Sequence, residues 1–153
     1  MDPETRLRDA GLILPEPGRP AFDYEPYKLH NGVVYLAGQL AKEDGEIAAF
    51  GKVDRDVGEA EAARQMQICA LQALNWMKHA AAGDLNRIDG ILQLRCYVAC
   101  TEEFDGISRI ADHASGVFTT AFGDAGKHPR SVLGMMRLPR NAPVMIDLQA
   151  AIR

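Results

Sequence analysis

The stretch YKLHNGVVYLAGQL, Tyr27–Leu40, decides the fold. Its centre is Asn31-Gly32, set between two strand-like runs. A type I′ turn needs positive φ at both central positions, and this pair tolerates it. The segment therefore reads as a hairpin, with strands near Tyr27–His30 and Val33–Leu40. A hairpin needs a cover, and the chain supplies helices. Glu59–Ala82 repeats apolar residues at spacings of three and four: Ala62, Met66, Cys69 or Ala70, Ala73 or Leu74, Met77. That spacing predicts a long amphipathic helix, stopped by Gly83-Asp84.

ILQLRCYVA, residues 91–99, alternates as a strand. The alternation assigns Leu92, Leu94, Cys96 and Val98 to one face and Gln93, Arg95 and Tyr97 to the other. Thr101 then suits the cap of a second helix, with Glu102 and Glu103 in its first turn. Phe104, Ile107, Ala111, Ala114, Phe118 and Ala121 make its apolar stripe, and Gly123 and Gly126 mark its end. Strands at about 130–137 and 144–152, joined by PRNAP, close the chain.

The order ββαβαββ predicts an α+β fold, one open sheet with two helices packed on a single face. Ahead of it, residues 3–10 suit a short helix with Asp2 as N-cap, Pro3 at N1 and Gly11 as its stop. LILPEPGRP reads as an irregular arm stiffened by Pro15, Pro17 and Pro20. The expected division is an N-terminal helix and arm over 1–22 and one domain over 23–153. Residues 42–50 read as a polar loop and 51–57 as a short extended piece. The sheet face away from the helices carries Gln93, Arg95, Tyr97, Met145, Asp147 and Gln149. Methionines such as Met135 and Met145 suit a covered surface, so that face is expected to meet another copy of the chain.

Bulk composition excludes several functions. The chain has 153 residues and a net charge of −4, without the basic footprint of a nucleic-acid binder. Its first residues, MDPETRLRDAGLILPEP, lack the apolar run of a signal peptide or a membrane span, so a cytoplasmic location is expected. Cys69, Cys96 and Cys100 are few and odd in number, which fits a reducing compartment. No second Cys/His pair stands at zinc spacing, so they read as buried or half-buried thiols. There is no nucleophile elbow, P-loop, dinucleotide fingerprint or zinc-protease helix. His79 and His113 read as helix-face residues, and His128 as a loop histidine two positions before Arg130. Arg130 opens a strand straight after Pro129, in HPRSVLGMMRLP, 128–139. There it is either a solvated strand end or a fixed cation for a carboxylate.

Four stretches together resemble the Rid family, the reactive intermediate deaminases, also called YjgF or L-PSP endoribonucleases. They are Tyr24 ahead of the hairpin, VVYLAGQL at 33–40, GDLNRI at 83–88 after the long helix, and HPRSVLGMMRLPRNAPVMIDLQA at 128–150. The resemblance spans about Tyr24 to Ile152 and looks like a divergent subgroup. It implies a chorismate-mutase-like fold and a homotrimer with clefts between subunits. It also implies hydrolysis of small 2-imino or 2-amino-enoic acids to a 2-keto acid and ammonia, with no metal or organic cofactor. In that reading Arg130 is the catalytic carboxylate clamp, a role a planar, always charged guanidinium fits. Tyr24 is an aromatic wall. Ala37, Gly38, Ser115, Ser131 and Val132 complete the substrate-binding set, with Ser115 aligned loosely to an asparagine of the family. The chain departs from the pattern where Val132 replaces a cysteine, Ala37 a serine and, above all, Met145 the glutamate that positions water. A thioether cannot take a proton from water. The alternatives are a trimer that binds a small carboxylate without turnover and, last, the endoribonuclease of the family's older name. No membrane partner is expected.

Overall fold

A computed structural model describes residues 1–16, 18–20 and 22–153. Pro17, expected to stiffen the arm, lies outside the described residues. The hairpin forms as read: β1 (Tyr27–His30) pairs antiparallel with β2 (Val33–Leu40), and Asn31 and Gly32 take φ of 50° and 74°. Next come a two-residue hairpin, β3 (Lys42–Glu43) and β4 (Glu46–Ile47), then α2 (Glu59–Ala80), β5 (Ile88–Ala99), α3 (Ile107–Phe122), β6 (Arg130–Met135) and β7 (Val144–Ile152). A first helix, α1 (Pro3–Asp9), precedes them. Asp2 caps α1 by accepting from the Thr5 backbone N–H at 3.0 Å, as its sequence implies. Leu7 carries α1 into the core at 1% exposure.

The main sheet runs β1-β2-β7-β5-β6. All neighbours are antiparallel except β5 and β6, which run parallel with Leu94 opposite Arg130 and Ala99 opposite Met135. Strand β6 is therefore a sheet edge. On the covered face Leu36, Leu94, Cys96, Val98, Ile146 and Leu148 meet Met66, Ala70, Leu74 and Met77 of α2 and Ile110, Ala114 and Phe118 of α3. Each large aliphatic or aromatic side chain buried this way contributes about 1.5–3 kcal/mol. The opposite face holds Tyr35, Gln93, Arg95, Tyr97, Met145, Asp147 and Gln149, none of them fully buried. The alternation of β7 predicts this split.

Four expectations need correction. Strand β5 begins at Ile88 rather than 91, and its pairing with β7 shifts between Ile91 and Gln93. This β-bulge breaks the simple alternation. Ile91 is buried and Leu92 is 46% exposed, so Leu92 does not share the face of Leu94. The second helix does not start at Thr101. The backbone N–H of Thr101 donates to the Val53 carbonyl at 3.2 Å and its hydroxyl to Asp54 Oδ2 at 3.2 Å, so it is held in a loop and α3 begins after Gly106. Strand β6 ends at Met135, not 137, because β5 offers no residue beyond Ala99 to pair with it. The polar loop at 42–50 contains the β3–β4 hairpin.

Candidate functional site

The residues picked from sequence gather in two places. The first is the mouth of β6. Gly126 packs so closely on α3 that a Cβ there would collide with the Phe118 carbonyl. This contact brings the segment after α3 back along the helix and delivers His128 beside Ser115. Arg130 follows on the helix side of the edge strand. Its Nη1 donates to Ser115 Oγ at 3.0 Å and pairs with Asp112 Oδ1 at 2.8 Å; its Nη2 donates to the Ser108 carbonyl at 3.3 Å. Arg130 is thus neither a solvated strand end nor an idle cation. Its side chain is 23% exposed and aimed by three groups of α3, of which Asp112 is 70% exposed.

Ser115 Oγ lies 3.0 Å from His128 Nε2, and His128 Nδ1 lies 2.6 Å from the Gly126 carbonyl oxygen. A carbonyl can only accept, so Nδ1 carries a hydrogen, and in the neutral imidazole Nε2 is then the acceptor. The Ser115 hydroxyl therefore donates to Nε2. The ring of Phe118 meets the imidazole edge-on, with centroids 5.9 Å apart. The sequence alone marks His128 only as a loop histidine. The partner stands thirteen positions away on a helix, and no local pattern links the two.

The second place is a bulge in β2. Its pairing with β7 shifts between Leu36 and Gln39, so Ala37 and Gly38 face Asp147 together. Gly38 lies against Met145, whose sulfur would be 2.8 Å from any Cβ there. The bulge opens into a cavity of about 430 Å³ whose walls include Phe22, Tyr24, Trp76, Pro139 and Met145, with Arg19, Lys42 and Arg140 also lining it. None of these three cations has an ion-pair partner among the described residues. Arg140 holds a left-handed φ of 56°, a conformation that costs a non-glycine residue free energy and clusters at functional sites.

Tyr24, Ala37 and Gly38 thus meet in one cavity, while Arg130 and Ser115 meet elsewhere. Strands β7 and β5 stand between β2 and β6, so the two places are roughly 14 Å apart at about 4.8 Å per strand. Ser131 points away from the helices and is exposed; Val132 returns to the helix side, half-buried beside Cys96. Asp147 is fully engaged. Arg95 Nε donates to its Oδ1 at 2.6 Å and the Tyr97 hydroxyl to its Oδ2 at 2.7 Å. Burial, and then the Asp147 carboxylate, hold the Tyr97 hydroxyl above its usual pKa. The hydrogen bond to Asp147 raises that of Arg95. Burial pushes the Cys96 thiol up to about 12, against the opposing pull of the Arg130 cation, and burial also raises Cys69. Neither thiol is a nucleophile near neutral pH.

Residues 4–152 match the family described as "YjgF/chorismate_mutase-like, putative endoribonuclease". The chain is 31% identical over 144 residues to Protein TCP17 of Trypanosoma cruzi, covering 94% of this chain and 89% of that one. Among solved structures, a protein of unknown function from Agrobacterium tumefaciens is 36% identical with a TM-score of 0.92, over 99% of this chain and 92% of its own. One from Shewanella oneidensis is 28% identical with a TM-score of 0.94, over 99% and 100%. With a family match across nearly its whole length and the α+β sheet that goes with it, the chain belongs to the YjgF/chorismate mutase-like family.

Proposed function

We propose that the chain is a Rid-type hydrolase of small 2-imino and 2-amino-enoic acids, working in clefts between the copies of a homotrimer. One observation carries this reading. The arginine suited to clamp a carboxylate and the bulge suited to receive the rest of the molecule are both built, but at separate strands of one sheet. A second copy whose β2 bulge approaches the β6 edge would complete the site. The free edge of β6 and the uncovered sheet face make such an approach favourable. In the cleft the Arg130 guanidinium offers its remaining N–H groups to the substrate carboxylate, and fixing that group beside the imine favours attack by water.

A second reading is favoured by Met145 and Asp147. Met145 offers no base at the position of the family's water-positioning acid, and both oxygens of Asp147 already accept hydrogen bonds. On that basis the trimer holds a small carboxylate without turnover.

The test is direct. The imine is generated in the cuvette from an amino acid by an amino-acid oxidase, and its loss is followed with and without the protein. Acceleration by the wild type, sharply reduced in Arg130→Ala, is the expected result. No acceleration together with saturable binding of a 2-keto acid by calorimetry would replace hydrolysis with binding. A monomer by light scattering would overturn the shared cleft.

A further inference from the structure

Arg130 is placed to hold a substrate, but Met145 leaves open which group moves the proton. The β6 edge contains a group of the right kind. The Arg130 guanidinium donates to Ser115 Oγ, the Ser115 hydroxyl donates to His128 Nε2, and His128 Nδ1–H donates to the Gly126 carbonyl. The four groups form one directional chain that a single imidazole tautomer satisfies throughout. A hydroxyl backed by an imidazole, with the imidazole oriented by a fixed acceptor, is an arrangement that transfers protons.

We infer that Ser115 and His128 together supply the proton transfer that the Met145 thioether cannot, with the Ser115 hydroxyl meeting the reacting atoms and His128 holding the proton behind it. This rests on the hydrolase reading above. Water adds to C2 of the iminium. Its oxygen forms the new C–O bond, and the C=N π pair moves to nitrogen. A water proton passes to Ser115 Oγ while the hydroxyl's own proton passes to His128 Nε2. The imidazolium Nε2–H then points at Ser115 Oγ, which already accepts from Arg130, so the serine hydrogen turns outward to the substrate. Collapse returns a proton by that path to the amine nitrogen. The C–N bond breaks with its pair leaving on ammonia, the C2 oxygen becomes the carbonyl, and its proton ends on ammonia as ammonium. Atoms and charge balance without an oxidant or reductant. Throughout, Arg130 donates to Ser115 Oγ, which keeps that atom in line and stabilises negative charge developing on it as its proton moves.

The experiment uses the full-length wild type and two variants, His128→Gln and Ser115→Ala, with 2-iminopropionate generated in situ. Glutamine can still accept from Ser115 but cannot carry a proton. The expected result is a fall in kcat of about 100-fold in both variants; in His128→Gln, where Ser115 still holds Arg130, KM is expected to change by less than about threefold. A third variant, His128→Gly, is expected to regain turnover with added imidazole, a response that loss of fold would not produce. Wild-type kcat in His128→Gln and Ser115→Ala would overturn this inference alone and leave the hydrolase standing. Absence of acceleration by the wild type would overturn both. If His128→Gln fails to fold, Ser115→Ala and the imidazole response of His128→Gly decide the matter.

Discussion

The β6 edge and the β2 bulge are built on opposite logic. At the edge three side chains are linked in series: Arg130 with Asp112, Ser108 and Ser115, Ser115 with His128, His128 with Gly126. The bulge offers shape instead, a cavity of about 430 Å³ with apolar walls and three cations that have no ion-pair partner among the described residues. The edge has chemistry without enclosure; the bulge has enclosure with little chemistry. On the proposed reading, a site split this way is complete only when two copies meet, which would tie catalysis to assembly.

The contrast can be broken at its foundation. Phe118 is fully buried and carries the His128 ring, so Phe118→Ala is expected to lose about 3–5 kcal/mol of unfolding free energy. Urea denaturation measures this. A loss near zero would mean that the edge does not lean on the core. Next in size is Arg130→Ala, expected to lower kcat/KM by about 100-fold, or roughly 3 kcal/mol. Gly38→Leu attacks the other half by filling the cavity beside Met145, and is expected to weaken substrate use by about tenfold, with most of the effect on KM. Mixing these two variants sharpens the comparison. Refolded together, mixed oligomers gain clefts that carry neither lesion, so activity is expected to exceed that of either parent. If the mixture never exceeds the better parent, the halves do not complement across subunits.

The smallest effect belongs to the sheet face between them. Tyr97→Phe leaves one Asp147 oxygen without its donor and is expected to cost about 1 kcal/mol. It also has a pH signature. Tyr97 has a folded-state pKa raised above the ordinary 10.0, so its protonated form is favoured in the native state. The resulting stability is fully present below the unfolded value near pH 10 and is lost as pH rises through the folded value. The wild type is therefore expected to lose stability above pH 10 more steeply than Tyr97→Phe in denaturant titrations.

Much of the frame was legible because it is periodic. The Asn31-Gly32 turn, the three-and-four spacing of Glu59–Ala80 and the alternation from Val144 to Ala150 each rest on residues only a few positions apart in the chain. The errors share a cause too. An extra residue at Leu92 has no compositional mark, yet it reverses which side chains are buried. Thr101 and its acids look like a helix cap until Val53 arrives from another part of the chain and occupies the Thr101 backbone. The same holds for the candidate site. Resemblance named Arg130, Tyr24 and Gly38 as candidates one by one, and the loosely aligned Ser115 touches Arg130. It did not pick out His128, whose contact with Ser115 forms only because a helix folds back beside it.

By itself, then, the sequence determined the α+β order, the buried sheet face, the hairpin and the arginine at the strand mouth, since each depends on local period, turn chemistry or a short motif. Tertiary structure alone decided that Arg130 already holds Asp112, that Asp147 is tied to Arg95 and Tyr97, that the β2 bulge opens a cavity away from the arginine, and that His128 stands behind Ser115. The physical reason is range. A hydrogen bond is made or lost within a few tenths of an ångström, and only the packing of distant segments, such as Gly126 against Phe118, sets positions that finely.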